Sequence, residues 1–482
     1  MLKEKALLIS FGTDGWRAII ADTFTFDSVR IVTQAICNYI LSLHPTSNIQ
    51  HPTLVVGYDN RFMAEEFADV VTSVLAANGI GVVLSTEPTP TATVAFAVKS
   101  LKTKGAVMLT ASHNPSYYNG IKFIPSYAGP ATKEITGRIE EEIKKVEESR
   151  RVSYLSRSEA QSSPLINKTD ITRDYIAGIK NLVDFGTLKA SSLKVVVDPL
   201  YGAGANLLIS LCREAGLDVT AIHNWRDPLF GGDLPDPSQE HLKELRSTVL
   251  AQQADLGLAL DGDADRIGVI ADDGAFVSAN QAISLLLIHL VENKGRRGLV
   301  VRTVATTHLI DAIAKDYDLE VVETPVGFKY IGQLMLERDV IIGGEESGGL
   351  SIGGYIPEKD GILANLLVCE MVATSKKKLS QILKDVREKY GSFENLRLDI
   401  PFPREKMEAL LSNFRVHPPA SVGGLRVRDV IIKDGVKFLL EEENWLLMRP
   451  SGTEPLIRCY LETHTKKDLE ELKNAILKLL EA

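Results

Sequence analysis

Apolar residues in this chain fall into short unbroken runs, separated by stretches in which they recur every three or four positions. Leu54-Val55-Val56-Gly57-Tyr58-Asp59, Gly81-Val82-Val83-Leu84 and Ala106-Val107-Met108-Leu109 lack the alternation of a half-exposed strand. They predict strands buried on both faces. Between the first two, Phe62, Phe67, Val70, Val71, Val74 and Leu75 stand at helical spacing, with Gly79 as the stop. The same order then recurs. Lys194 to Asp198, Asp218 to Ile222 and Leu256 to Leu260 form a second set of runs. Leu299 to Arg302, Leu319 to Val322 and Val340 to Ile342 form a third, with a helix near Thr307 to Asp316. Strand–helix units repeating at roughly 100-residue spacing mark an internal repeat at domain scale. Such units build largely parallel sheets covered on both faces.

Each unit closes its third strand with an unusual polar loop. The loops are Thr110-Ala111-Ser112-His113-Asn114-Pro115, Asp261-Gly262-Asp263-Ala264-Asp265-Arg266 and Gly343-Gly344-Glu345-Glu346-Ser347-Gly348-Gly349. Ligands of α/β sheets sit at the carboxyl ends of strands, so these three loops are expected to meet in one cleft. The tail departs from the repeat. It predicts short strands at Val436 to Leu440 and Trp445 to Met448. An amphipathic helix follows, with Leu469, Leu472, Ile476, Leu479 and Leu480 on one face and Thr465 as its cap.

The fold class expected is three related α/β domains with mixed, largely parallel sheets plus a smaller C-terminal α+β domain. A length of 482 residues fits several domains of about 150 residues each. The boundaries predicted are 1–160, 170–273, 274–390 and 395–482. The Ser-rich segment Ser153 to Asp170 is taken as the first linker, and Ile400-Pro401-Phe402-Pro403 marks the crossing into the tail.

Composition narrows the function classes. Apolar residues make up 45% of the chain and charged residues 24%, as in a soluble globular protein. The net charge of −9 argues against a general nucleic-acid binder. The start lacks a signal-peptide apolar region, and no apolar run approaches the ~18 residues of a membrane span. Cys37, Cys212, Cys369 and Cys459 are far apart, without metal-type spacing. Cys37, Cys212 and Cys369, in apolar, helix-like stretches, read as reduced core residues of a cytoplasmic protein.

The loops carry the candidate chemistry. Ser112 presents a hydroxyl at a strand end, where a rigid scaffold still meets a substrate. Asp261, Asp263 and Asp265 alternate with Gly and Ala; in an extended segment their side chains point the same way. Crowded carboxylates repel unless a cation lies between them, and hard oxygen ligands favour Mg²⁺ or Ca²⁺. An EF-hand is a poor match, because Arg266 takes the place of its turn glycine. Glu345 and Ser347 suit paired sugar hydroxyls. Arg449-Pro450-Ser451-Gly452-Thr453-Glu454-Pro455, with Arg458 as a further candidate, offers the hydroxyls, close backbone and guanidinium of an anion seat. Arg17, Lys122, Lys329 and Lys359, taken singly, read as surface charges.

Taken together, these four motifs resemble the α-D-phosphohexomutase family, in the family's order from Phe11 to Arg458. The resemblance implies that Ser112 is the phosphoserine, and that Asp261, Asp263 and Asp265 hold Mg²⁺ together with its phosphate. Arg266, Arg17, His113, Lys122 and Lys359 would line the transfer site. Glu345 and Ser347 would hold sugar hydroxyls. Lys329 and the loop from Thr324 to Gly327 would contact the sugar or its phosphate. Arg449, Ser451, Gly452, Thr453 and Arg458 would grip the phosphate that is not reacting. The implied reaction interconverts hexose 1- and 6-phosphates through a hexose 1,6-bisphosphate, needed in catalytic trace. The implied partners are small sugar phosphates, with neither nucleic acid nor membrane, in a monomer or homodimer. Glu345-Glu346-Ser347 and Glu358-Lys359-Asp360-Gly361 resemble phosphoglucomutases. Phosphomannomutase or dual action is the alternative, and a metal-dependent sugar phosphatase or a non-catalytic sugar-phosphate binder a more distant one.

Overall fold

The computed structural model describes residues 9–12, 15–44, 51–451 and 455–481. The first sheet contains β1 (Trp16–Ile19), β2 (Thr53–Tyr58), β3 (Gly81–Ser85), β4 (Gly105–Leu109), β5 (Tyr118–Pro125) and β6 (Ile166–Thr169), in the order β1-β5-β4-β2-β3-β6. The second has β7 (Lys194–Asp198), β8 (Asp218–Ala221), β9 (Leu256–Leu260), β10 (Ile267–Ala271) and β11 (Phe276–Val277), ordered β11-β10-β9-β7-β8. The third has β12 (Leu299–Thr303), β13 (Val321–Thr324), β14 (Val340–Gly344) and β15 (Leu350–Ile352), ordered β13-β12-β14-β15.

The repeat explains where the polar loops lie. In each unit three successive strands pair in parallel: β2 with β3 and β4, β7 with β8 and β9, β12 with β13 and β14. The next strand then returns antiparallel to the last of the three: β5 on β4, β10 on β9, β15 on β14. The Ser112, Asp261 and Glu345 loops are therefore the hairpin connections of three equivalent strand pairs. Sequence reading finds the parallel cores but not these return strands.

Two expectations change. The Ser-rich segment is not a bare linker: it holds a short helix, Arg157–Ser162, and β6, which pairs in parallel with β3 at the edge of the first sheet. The strand expected at Leu319 to Val322 runs instead from Val321 to Thr324. Asp318 takes a left-handed conformation (φ 54°), and Leu319 N–H closes the preceding helix on Ala314 O, so the chain extends later.

The first three units share apolar ground. The helix Gly361–Ser375 is buried along most of its length and packs on both β9 and β10 of the second sheet and β15 of the third. A helix apolar on all sides needs partners on all sides.

The C-terminal sheet is antiparallel throughout: β16 (Glu394–Pro401), β17 (Ser421–Val422), β18 (Leu425–Ile431), β19 (Val436–Leu440), β20 (Trp445–Pro450) and β21 (Leu456–Thr463), ordered β16-β21-β20-β19-β18-β17. Alternation along β20 separates its two faces. Leu446 and Met448 pack with Met407, Leu411, Leu472 and Ile476 of the domain's own helices. Trp445 and Leu447 pack with Val304 and Ala305 of the third unit. The terminal helix Lys466–Glu481 begins where Thr465 Oγ1 accepts from Asp468 N–H. All four cysteines are free and buried. Among the described residues no helix is long and apolar enough to cross a membrane.

Candidate active site

The Ser112 and Asp261 loops meet. Ser112 is buried and its Oγ donates to Asp261 Oδ2 at 2.8 Å. The three carboxylates converge, but not by strand alternation as expected. Residues 261–265 form a turn, with Ala264 left-handed (φ 59°) and its N–H bonded to Asp261 O. Asp261 Oδ1 accepts from the N–H groups of Asp265 and Arg266 at 2.9 and 3.0 Å, folding the turn onto its own first carboxylate. The result brings one oxygen from each carboxylate within 4.8 Å of the others.

The electrostatics of the triad call for a cation. Burial, then the charges of Asp263 and Asp265, push Asp261 far above the usual carboxylate range. Burial would raise Asp263 too, but Lys122 and the Thr91 hydroxyl outweigh it and hold Asp263 low. Lys122 Nζ lies 2.9 Å from both Asp263 Oδ2 and Asp265 Oδ2, and Lys359 Nζ lies 3.2 Å from Asp265 Oδ2. Asp263 Oδ1 and Asp265 Oδ1 are buried and accept no hydrogen bond from the described residues. Buried orphan oxygens are rare and need an explanation. Hard, convergent and partly unpartnered, this donor set fits a divalent cation.

Further cations surround the hydroxyl. Arg17, on β1, donates from Nη1 to Asn114 Oδ1 at 2.6 Å. Arg266 Nε lies 4.0 Å from Asp261 Oδ2 and 3.9 Å from Asp265 Oδ1. His113 Nδ1 is 3.4 Å from Ser112 Oγ. Burial, then Arg266, Arg17, Arg61 and Lys122, hold its imidazole well below the usual range, so the ring is neutral.

The third loop joins the second by a backbone bridge, Arg266 with Gly349. Glu345 is buried, and its Oε1 accepts from Gly327 N–H at 2.9 Å. That bond ties the Glu345 loop to the segment from Thr324 to Gly327, whose Thr324 is also buried. Ser347 lies two residues on, half-buried, and Lys329 is buried on the helix Phe328–Glu337.

On the C-terminal domain, Arg449 of β20 stands directly opposite Arg458 of β21, and Arg458 opposite Asp399 of β16. Like charges directly opposed are destabilising. Asp434 receives Arg449 Nε at 2.7 Å, and Asp399 lies 3.7 Å from Arg458 Nε. Asp434 Oδ2 also accepts from Val326 N–H at 3.0 Å, which links this arginine pair to the third domain. Ser451 is buried, with its N–H on Leu456 O. Gly452 and Thr453 lie outside the described residues.

Sequence reading missed several residues that hold this assembly: Asp59, Arg61, Thr91 and Asp434. Asp59 and Arg61 stood in plain view, a carboxylate and a guanidinium two positions apart at the end of a buried strand. No local pattern singles out Thr91 or Asp434, which reach Asp263 and Val326 in other domains.

A serine hydroxyl set against an acidic triad and ringed by cations is equipment for phosphoryl transfer, in which charge neutralisation and positioning do most of the chemistry. Residues 8–150, 173–274 and 278–390 match the models of α/β/α domains I, II and III of phosphoglucomutase/phosphomannomutase, and residues 397–479 match its C-terminal domain. The chain is 32% identical over 472 residues to a phosphoglucomutase/phosphomannomutase of Thermococcus kodakarensis, covering 98% of each. It is 34% identical over 467 residues to a "probable phosphoglucosamine mutase" of Pyrococcus furiosus, covering 96% of this chain and 95% of that one. A crystal structure of a "putative phosphomannomutase" from Thermus thermophilus superposes with a TM-score of 0.85 at 33% identity, covering 98% of this chain and 99% of that one. The chain belongs to the phosphoglucomutase/phosphomannomutase family. It is an intramolecular phosphotransferase acting on hexose phosphates.

Proposed function

We propose that the protein interconverts α-D-glucose 1-phosphate and glucose 6-phosphate through a phosphorylated Ser112 and glucose 1,6-bisphosphate. The observation that carries this reading is the 2.8 Å bond from Ser112 Oγ to Asp261 Oδ2, which seats the hydroxyl on the acidic triad. Asp261, Asp263 and Asp265 would hold Mg²⁺ with an oxygen of the Ser112 phosphate. The ion supplies charge neutralisation for the transferring group.

The phosphoryl group passes from Ser112 Oγ to the free hydroxyl of the sugar monophosphate. The P–Oγ bond breaks, a P–O bond to the sugar forms, and the sugar hydroxyl gives up its proton. Arg17, Arg266, Lys122 and Lys359 balance the charge spread over the moving oxygens. The proton from the sugar hydroxyl ends on Ser112 Oγ, the leaving oxygen; neutral His113, whose burial and cationic surroundings disfavour a charged ring, stands 3.4 Å from that oxygen as a hydrogen-bond partner. The bisphosphate then turns end for end and returns its other phosphate to Ser112. Arg449, Ser451 and Arg458, with Gly452 and Thr453, would grip the idle phosphate. Thr324, Gly327, Lys329, Glu345 and Ser347 would hold the sugar in both poses.

Glucose is favoured by Glu345-Glu346-Ser347. The relatives' names span glucose, mannose and glucosamine, so the test must cover all three. A coupled assay with Mg²⁺ and trace bisphosphate on glucose, mannose and glucosamine 1-phosphates should give fastest isomer formation with glucose. A faster rate on either other sugar overturns the choice of hexose. Release of inorganic phosphate in place of isomer overturns the mutase reading.

A further inference from the structure

The geometry points to Arg61, acting with Asp59 and Thr110, as the positioning device that fixes the backbone of the phosphoryl-accepting serine; this rests on the reading of Ser112 as that serine. Ser112 is left-handed (φ 52°), a conformation that a non-glycine residue keeps only when its surroundings over-determine it. Both of its backbone polar groups are held. Its N–H donates to Thr110 Oγ1 at 2.8 Å, and the same hydroxyl donates to Asp59 Oδ2 at 2.6 Å. Its carbonyl accepts from Arg61 Nη2 at 2.6 Å.

Arg61 is fully buried, which for an arginine requires matched partners. Nη2 also donates to Asn114 O at 2.7 Å, while Nη1 donates to Pro115 O at 2.8 Å and Tyr118 O at 3.0 Å. One planar guanidinium thus grips four carbonyls of the segment that carries Ser112, and its Nε faces Asp59 Oδ2 at 3.3 Å. Lysine, a point charge on a flexible stem, cannot reproduce that fork. The second domain backs the arrangement. Arg61 lies over the Phe230 ring at 5.0 Å, and a Cβ on Gly262 would fall 2.6 Å from Ser112 O, so only glycine lets the metal loop come this close. The bonds of Arg61 go to this backbone and to Asp59 rather than to the triad; it acts through the backbone of Ser112.

The test compares Arg61→Lys, Thr110→Val and Thr110→Ser with the unaltered protein and with Ser112→Ala. Three quantities are read: kcat and KM on glucose 1-phosphate, the rate of Ser112 phosphorylation by glucose 1,6-bisphosphate followed by intact mass, and sugar-phosphate affinity by calorimetry. Misplacing a reacting atom by 1 Å lowers rates by about a hundredfold. Arg61→Lys and Thr110→Val should each reduce kcat and Ser112 phosphorylation by about that factor, with affinity changed by less than about threefold. Thr110→Ser, which keeps the hydroxyl, should restore both. Thr110→Val keeps the test decisive where the arginine variant fails to fold. Normal kcat in Thr110→Val overturns the inference, as does a matching loss of affinity or a failure of Thr110→Ser to rescue. Turnover by Ser112→Ala would instead overturn the phosphoserine reading; an inactive Ser112→Ala beside a normal Thr110→Val would leave that reading intact and remove only this one.

Discussion

The hydroxyl of Thr91, at the start of a helix in the first domain, donates to Asp263 Oδ2 in the second domain at 2.5 Å. The Thr91 N–H meets Asp263 O at 3.1 Å, so the residue holds both ends of that aspartate. Asp263 Oδ1 receives no hydrogen bond from the described residues. Partners that orient a ligand in this way typically matter tenfold to a hundredfold in metal affinity. Thr91→Val is therefore expected to weaken Mg²⁺ binding by about tenfold or more, read from activity against Mg²⁺ concentration and from calorimetry, while Thr91→Ser stays near the unaltered value. Chelation with EDTA should silence both, and added Mg²⁺ should restore them.

Ser112→Ala should abolish turnover while sugar-phosphate binding survives, because Arg449 and Glu345 lie in other domains. Near-normal rates in either direction would refute the assignment.

The Arg449–Arg458 pair predicts a different signature. Two guanidinium groups on neighbouring strands are held apart in charge by Asp434 and Asp399, and an anion between them would relieve their repulsion. Arg449→Ala should raise KM for phosphorylated sugars by about tenfold or more, the loss of one charged hydrogen bond, with a smaller change in kcat. An unchanged KM would remove Arg449 from phosphate binding.

Glu345 predicts a stability that depends on pH. Burial first, then neighbouring Glu346, push its carboxyl up from 4.5 to about 7. Between those values the folded chain keeps a proton that the unfolded chain has released, so stability falls as pH rises through this window. Above about 7 the penalty is complete. Glu345→Gln should therefore be more stable than the parent by roughly 3 kcal/mol at pH 8, a margin that vanishes below about pH 4.5. Thermal melts at pH 4 and pH 8 measure it. The same variant should lose activity, because the amide no longer offers sugar hydroxyls a charged acceptor.

Local pattern carried much of the architecture. Lys194 to Asp198 and Leu256 to Leu260 lie in the sequence as continuous apolar runs and stand in the fold as β7 and β9, because a strand buried on both faces leaves no room for polar alternation. The return strands were harder. Ile267 to Ala271 follows its acidic loop so closely that the loop's chemistry hid the strand behind it. The catalytic candidates were readable where they cluster, as at Ser112 and Asp261. The residues that aim them were not, because Thr91 and Asp263 are 172 positions apart and only tertiary structure brings them together. The turn that gathers the carboxylates depends on Ala264 in a left-handed conformation, which alanine does not advertise.

The pairing of Ile166–Thr169 with Gly81–Ser85 bears on how the N-terminal unit can be dissected. A fragment ending near residue 150, where the match to the domain I model stops, would strip that border and bare the ladder of Val82 to Ser85. Exposed edges of this kind recruit other chains. An excised fragment should thus stay monodisperse only if it is carried on to about residue 170, and the shorter cut should self-associate on a sizing column.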